Sequence, residues 1–218
     1  VVYFAFTDKA GHFTLENIMG LGAYTTVFAR SIVLAAIATA ICLVLAFPVS
    51  YLLSRMRPAS QRMMQMLIML PMWMNFLLRT YSWMSILENN GLLNQLFQQI
   101  GLIDLYNQVA MHFAADPAAY VPIDHFQMIG TQGAVVLGMV YNYLPFMILP
   151  IYSVIVKLDH SLIEAARDLG ANSVQVFRRV ILPLSLPGVL SGITMVFVPA
   201  VSTFVISRML GGGSNLLI

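Results

Sequence analysis

The 218 residues carry 59% hydrophobic and only 9% charged side chains, a formal net charge of +2 and one cysteine. Soluble domains have about a quarter charged residues, so a soluble enzyme or binding module is excluded, and the net charge is too small to argue for nucleic acid. The alternation of a membrane β-barrel is missing, which leaves an all-α integral membrane protein, a polytopic helical bundle.

In chain order, residues 1–6 read as the tail of a first span and residues 7–24 as a polar outer loop. The first full span is predicted over residues 30–54, with Pro48 as a kink and Ala35, Ala36, Ala38 and Ala40 as surfaces for close helix contact. Cys42 lies mid-span and reads as a small packing residue; alone, it can form no intrachain disulfide. Arg55, Arg57 and Arg62 then mark a short basic loop. A second span is predicted over residues 63–87, containing Pro71 and Arg79. An ionisable residue inside a span marks either a functional site or a snorkelling arginine near the span end, and Asn75, one turn earlier, shares the face of Arg79 in either case.

Residues 88–130 are polar, with one amphipathic helix between Gly91 and Gly101 and irregular chain around Asp116-Pro117 and Val121-Pro122. That helix caps the bundle at the interface or offers a docking surface. His112, His125, Asp116 and Asp124 have no metal-ligand spacing and read as solvated loop residues. A third full span is predicted over residues 133–156, with Tyr141, Asn142 and Tyr143 beside a break at Pro145; they suit a translocation lining or hydrogen bonds between helices.

The segment 157–183 is a polar island. It reads as helix, turn, helix. Ser161 is the predicted N-cap, with Glu164 at capping-box spacing, and Leu162, Ile163, Ala166 and Leu169 form an apolar stripe. Gly170 stops the first helix. The second is predicted over residues 173–180, with Val174, Phe177 and Ile181 on one face, Arg178 and Arg179 at its end, and Pro183 as its stop. The last span, residues 184–207, contains Gly188-x-x-x-Gly192, a close-packing signature. The run Gly211-Gly212-Gly213-Ser214 lacks the Lys of a nucleotide loop and reads as an outer turn. The chain starts without Met, and both ends read as cut inside or beside apolar segments.

Arg55, Arg57, Arg62, Lys157, Arg167, Arg178 and Arg179 fall in loops on one side of these spans, and Lys9, Arg30, Arg79 and Arg208 towards the other. The positive-inside rule places the first group, and with it the polar island, in the cytoplasm.

Glu164-Ala165-Ala166, three residues, Gly170, nine residues, then Val180-x-Leu182-Pro183 resembles the EAA loop of ABC-importer permeases, with Val180 where the pattern has Ile. Pro71-Met72-Trp73-Met74-Asn75-Phe76-Leu77-Leu78-Arg79-Thr80-Tyr81 and Tyr143-Leu144-Pro145-Phe146-Met147 make the chain similar to the spermidine/putrescine branch over nearly its whole length.

The resemblance implies a type I importer permease fold. It gives one transmembrane domain over residues 1–218, with about four full spans and part of a first, and a coupling loop at 157–183. Relative to a six-span member, the chain lacks most of the first span and everything after the fifth. Glu164, Ala165, Ala166 and Gly170, flanked by Arg167 and Asp168, would seat in a groove of an ATPase subunit. No cofactor is implied in this chain; ATP and magnesium belong to two partner ATPases. A second, related permease chain, an external substrate-binding protein and the bilayer of a bacterial inner membrane complete the set of partners.

For a polyamine, Trp73, Asn75, Trp83, Glu88, Tyr141 and Tyr143 are the candidate path residues, since aromatic faces and a carboxylate attract ammonium groups. Amino acids, iron or sulfate are the alternative substrates. A secondary transporter is the less favoured class, because no Asp or Glu lies mid-span.

Overall fold

The structure, a computed structural model, describes residues 25–113 and 121–211. The expectations for residues 1–24, for Asp116-Pro117 and for residues 212–218 lie outside the described residues. Three long helices form the bundle: α1 (Thr25–Ser54), α6 (Gln132–Ile155) and α9 (Leu182–Val201).

On α1, Ala35, Ala38, Cys42 and Ala46 recur every three or four residues and are fully buried, so α6 approaches closely. Ala36 and Ala40 point outward, so only two of the four expected alanines make the contact. The Cys42 thiol points at the Val140 carbonyl at 3.8 Å, and the Ser50 hydroxyl donates to the Ile148 carbonyl at 2.9 Å. Both pairs are 98 residues apart, and this constant offset makes α1 and α6 parallel. Helix α1 starts before the predicted residue 30 because an exposed Arg30 does not interrupt a helical backbone.

Helix α6 is capped by the Thr131 hydroxyl, which accepts from the Ala134 amide at 3.2 Å. It runs unbroken through Pro145 and Pro150, against the predicted break. Each proline removes one helical hydrogen bond, but Pro145 is buried in the bundle, and donors from α1 reach α6 carbonyls nearby. Helix α9 packs antiparallel on α6 through the glycine pair: a Cβ on Gly188 would lie 2.8 Å from the Pro150 carbonyl, and one on Gly192 2.6 Å from the Met147 sulfur.

The predicted second span is the main departure. It is interrupted: α2 (Pro58–Met69), a 3₁₀ turn (Leu70–Trp73) and α3 (Phe76–Leu87). Pro71 has no amide proton to continue the ladder, and Met74 turns extended. Among the described residues, three helices are long and apolar enough to cross a membrane, where the sequence predicted four full spans. Pro58 starts α2 earlier than expected, after an extended Arg57. The Gln61 side chain holds the α1–α2 corner: its amide donates to the Ser54 and Met56 carbonyls, and its oxygen accepts from the Tyr152 hydroxyl at 3.0 Å.

Beyond α3, the expected amphipathic helix is α4 (Leu92–Gln99), and Gly101, at φ +70, turns the chain into an unpredicted α5 (Leu102–Phe113). Two asparagines tie these helices to the extended chain that follows. Asn94 bonds both the amide and the carbonyl of Phe126, and Asn107 does the same to Ile123. Each side-chain amide stands in for a strand neighbour, which gives irregular chain its backbone partners.

Helix α9 ends at Val201, short of the predicted residue 207. The hydroxyls of Ser202 and Thr203 both donate to the Pro199 carbonyl, an alternative to continuing the helix. A short α10 (Phe204–Leu210) then folds back, with Ile206 and Leu210 against Gly138 of α6.

Candidate functional site

At one end of the bundle α1 and α6 finish and α9 begins. The polar segment lies here. Helix α7 (His160–Asp168) is capped by Asp159, whose carboxylate accepts from the Ser161 amide at 2.9 Å. Asp159 replaces the predicted Ser161 cap, because an Asp two residues earlier captures the first free amides. The correction matters for Glu164: it takes no part in the cap, and its exposed carboxylate has no partner among the described residues.

The turn is fixed by hydrogen bonds at both helix ends. Gly170 has φ +83, its amide donates to the Arg167 carbonyl at 2.8 Å, and the Ala171 amide donates to the Ala166 carbonyl at 3.1 Å. This pair is a Schellman motif, which places a glycine in the left-handed region. Asn172 then caps α8 (Ser173–Val176) in a capping box with Gln175, two reciprocal bonds of 2.9 Å.

Helix α8 does not stop at Pro183. A π-turn (Phe177–Ile181), closed by the Leu182 amide on the Phe177 carbonyl, runs into α9, and Ser173–Val201 forms 29 continuous residues. Proline lacks an amide proton and its ring crowds the carbonyl four residues back; a widened turn accommodates both.

The loop is anchored on the bundle by Ile163, Val176 and Ile181, all buried. Phe177 meets Phe47 edge-on at 5.3 Å and Tyr51 at 6.2 Å. The loop is thus continuous with α9 through an unbroken helix and touches α1 through aromatic contacts. The expected apolar stripes are only half buried: Leu162, Leu169 and Val174 face outward, Leu169 at 88% exposure. Together with Glu164, Ala165, Arg167, Asp168 and Gly170, all exposed, they form a mixed surface, and Leu169, Gly170, Gln175 and Arg179 line a cleft of about 400 Å³ beside it. Small and apolar groups leave this surface open to close approach, and charges of both signs flank it.

The six path candidates scatter. Trp83 and Tyr141 come together, ring centroids 5.3 Å apart, in a cavity of about 170 Å³ that Arg79 also lines. Trp73 is exposed in the 3₁₀ turn. The Asn75 side chain caps α3, accepting from the Leu77 amide at 2.8 Å, and does not reach the face of Arg79 as expected. Glu88 ends α3, exposed, and its carbonyl accepts from Gly91 and Asn94. The Tyr143 hydroxyl is bonded to Thr203 and points at the Pro199 carbonyl, between α6 and the α9–α10 corner. No cluster of metal-ligating side chains occurs among the described residues. Sequence reasoning missed Asp159, Asn172 and Gln175; the spacing Asn-x-x-Gln was the available signal for the last two.

The family described as "Binding-protein-dependent transport system inner membrane component" matches residues 43–218. The chain is 39% identical over 207 residues to the spermidine/putrescine transport system permease protein PotB of Haemophilus influenzae, covering 94% of this chain and 66% of that protein. It is 38% identical to PotB of Escherichia coli K12, over 94% of this chain and 69% of the relative. The inner membrane ABC transporter permease protein YdcU of E. coli K12 is 31% identical, over 91% of this chain and 62% of the relative. The chain thus spans about two thirds of the length of these relatives. On the family match, the identity to these permeases and the apolar helices, the chain belongs to the inner membrane components of binding-protein-dependent transport systems.

Proposed function

We propose that the chain is the permease subunit of an ATP-driven importer of polyamines, and that residues 157–183 are the loop through which separate ATPase subunits drive it. The observation that carries the coupling role is the exposed Glu164–Gly170 turn, fixed at both helix ends and continuous with a membrane-length helix. Such a loop moves as a lever rather than a tether. The carboxylate of Glu164 offers a charge-assisted bond to a basic groove, and Ala165 allows backbone approach. Closure of two ATPases around ATP pushes the loop, and α9 with α1 turns between inward- and outward-open arrangements.

Arg55, Arg57, Arg62, Lys157, Arg167, Arg178 and Arg179 gather at this end, and Glu88, Asp104 and Asp124 at the other. The bias supports a cytoplasmic position for the loop. A second permease chain and an external binding protein complete the transporter in this reading. The substrate reading rests on the printed names of the spermidine/putrescine permeases, together with the Trp83–Tyr141 pair, whose ring faces attract ammonium groups.

The test is uptake of radiolabelled spermidine and putrescine into membrane vesicles holding the full-length permease with its ATPase, partner permease and binding protein. Uptake that requires ATP and is competed by unlabelled polyamine is expected. Active ATPase without polyamine uptake discards the substrate; uptake without ATP discards the mechanism.

A further inference from the structure

Arg79 stands on α3, in the interrupted span. Two of its guanidinium nitrogens, Nε and Nη1, are buried without a hydrogen-bond partner among the described residues. It shares its cavity with Met74, Ser82, Trp83, Ile86 and Tyr141, none of which brings a carboxylate. Arginine does not give up its proton in proteins, so these donors cannot be neutralised by titration. At membrane depth, ionisable side chains face the protein interior and pair with one another.

The surroundings of Arg79 say where the acceptor comes from. Neither α2 nor the 3₁₀ turn buries a single residue, and Trp73, Leu77, Leu78 and Tyr81 remain exposed. Between Leu70 and Asn75 the α-helix is interrupted, and interrupted backbone inside a bilayer is tolerated against protein or a water-lined cavity, not against lipid tails. Among the described residues the flank of α2–α3 is therefore an open surface suited to protein, and on α3 it carries an unsatisfied cation, Arg79. A cationic substrate is repelled by Arg79, so it does not supply the missing charge.

We infer that Arg79 receives an aspartate or glutamate from the second membrane subunit of the transporter, which packs on the exposed flank of α2–α3. This rests on the proposed pairing of two permease chains. The pair neutralises the guanidinium beside Trp83 and Tyr141, which leaves their ring faces open to an ammonium group. Among contacts between subunits, a buried charge pair of this kind fixes register and partner choice.

The experiment uses the full-length chain co-expressed with its partner permease and ATPase. The photo-reactive residue p-benzoylphenylalanine replaces Ser82, which is exposed at the cavity rim. Cross-linking to the partner permease, on a peptide that contains Asp or Glu, is expected; cross-linking only within the chain or to lipid overturns the inference. Arg79→Glu should then lower recovery of the partner permease at least about tenfold, because it sets two carboxylates together. Replacing the identified carboxylate by Arg in the partner should restore recovery to within about twofold. Wild-type recovery with Arg79→Glu, or no rescue, overturns the pairing. If Arg79→Glu fails to fold, the Ser82 cross-link, made with Arg79 intact, still decides. Recovery does not depend on substrate, so a wild-type complex that assembles and imports no polyamine removes the substrate reading and leaves this one standing.

Discussion

Gly170→Pro is expected to abolish ATP-driven uptake while the membrane bundle still assembles. Gly170 has φ +83 and donates its amide to the Arg167 carbonyl. Proline fixes φ near −65° and has no amide proton, so the turn cannot close, at a local penalty of about 3 kcal/mol or more. The penalty falls on a surface turn, and α1, α6 and α9 keep their own contacts. Gly170→Ala separates conformation from crowding, since no atom lies within 4 Å of an added Cβ. Its cost of about 1–2 kcal/mol is that of a left-handed alanine alone, and partial activity is expected.

Glu164→Arg removes docking by a different route. The carboxylate is exposed and outside the cap, so stability should change by no more than about 0.5 kcal/mol, while ATPase recovery and uptake fall at least about tenfold. Thermal melting, ATPase co-purification and uptake, measured together, check both variants. Normal uptake with Glu164→Arg sinks the coupling role.

The second large effect lies in the bundle. Gly188→Ala should destabilise it by about 1–3 kcal/mol, and Gly192→Ala by far less. A Cβ at Gly188 meets the Pro150 carbonyl at 2.8 Å and Val154 Cγ2 at 3.0 Å, so a whole helix has to shift. At Gly192 the nearest atom is the Met147 sulfur at 2.6 Å, near the end of a flexible side chain, and the nearest backbone atom is the Met147 carbonyl at 3.3 Å, so a buried side chain rather than a whole helix has to give. Alanine also gains about 1 kcal/mol of helix propensity over glycine, which nearly cancels the small cost at Gly192 and not the larger one at Gly188. Melting temperatures of the two purified variants in one detergent test the ranking. Equal melting temperatures contradict the packing account.

The parts of this molecule legible in its sequence are those that local chemistry fixes. Uncharged runs gave α1, α6 and α9, the glycine pair marked a close-packing face on α9 without naming its partner, and Gly170 gave the turn. Errors arose where two signals competed. Ser161 is a good cap by type, but Asp159 precedes it and is stronger. Pro183 and Pro145 read as stops, yet a π-turn and a packed neighbour accommodate them. Pro71 was read as part of a span, and there the helix does break. A proline's effect depends on whether surrounding helices reclaim the freed backbone groups, and a single sequence does not carry that information. Trp83 and Tyr141 were each visible as aromatics, but their meeting depends on how α3 lies against α6.

The most direct test of the central claim is labelling of Ala165→Cys with a membrane-impermeant maleimide. Ala165 is exposed on α7, and Cys42 is fully buried, so of these two positions only the introduced thiol is accessible. Inside-out and right-side-out vesicles are compared, with and without the ATPase. The account predicts labelling only in inside-out vesicles and protection when the ATPase is present. Labelling from the outer side, or labelling that the ATPase leaves unchanged, would contradict it.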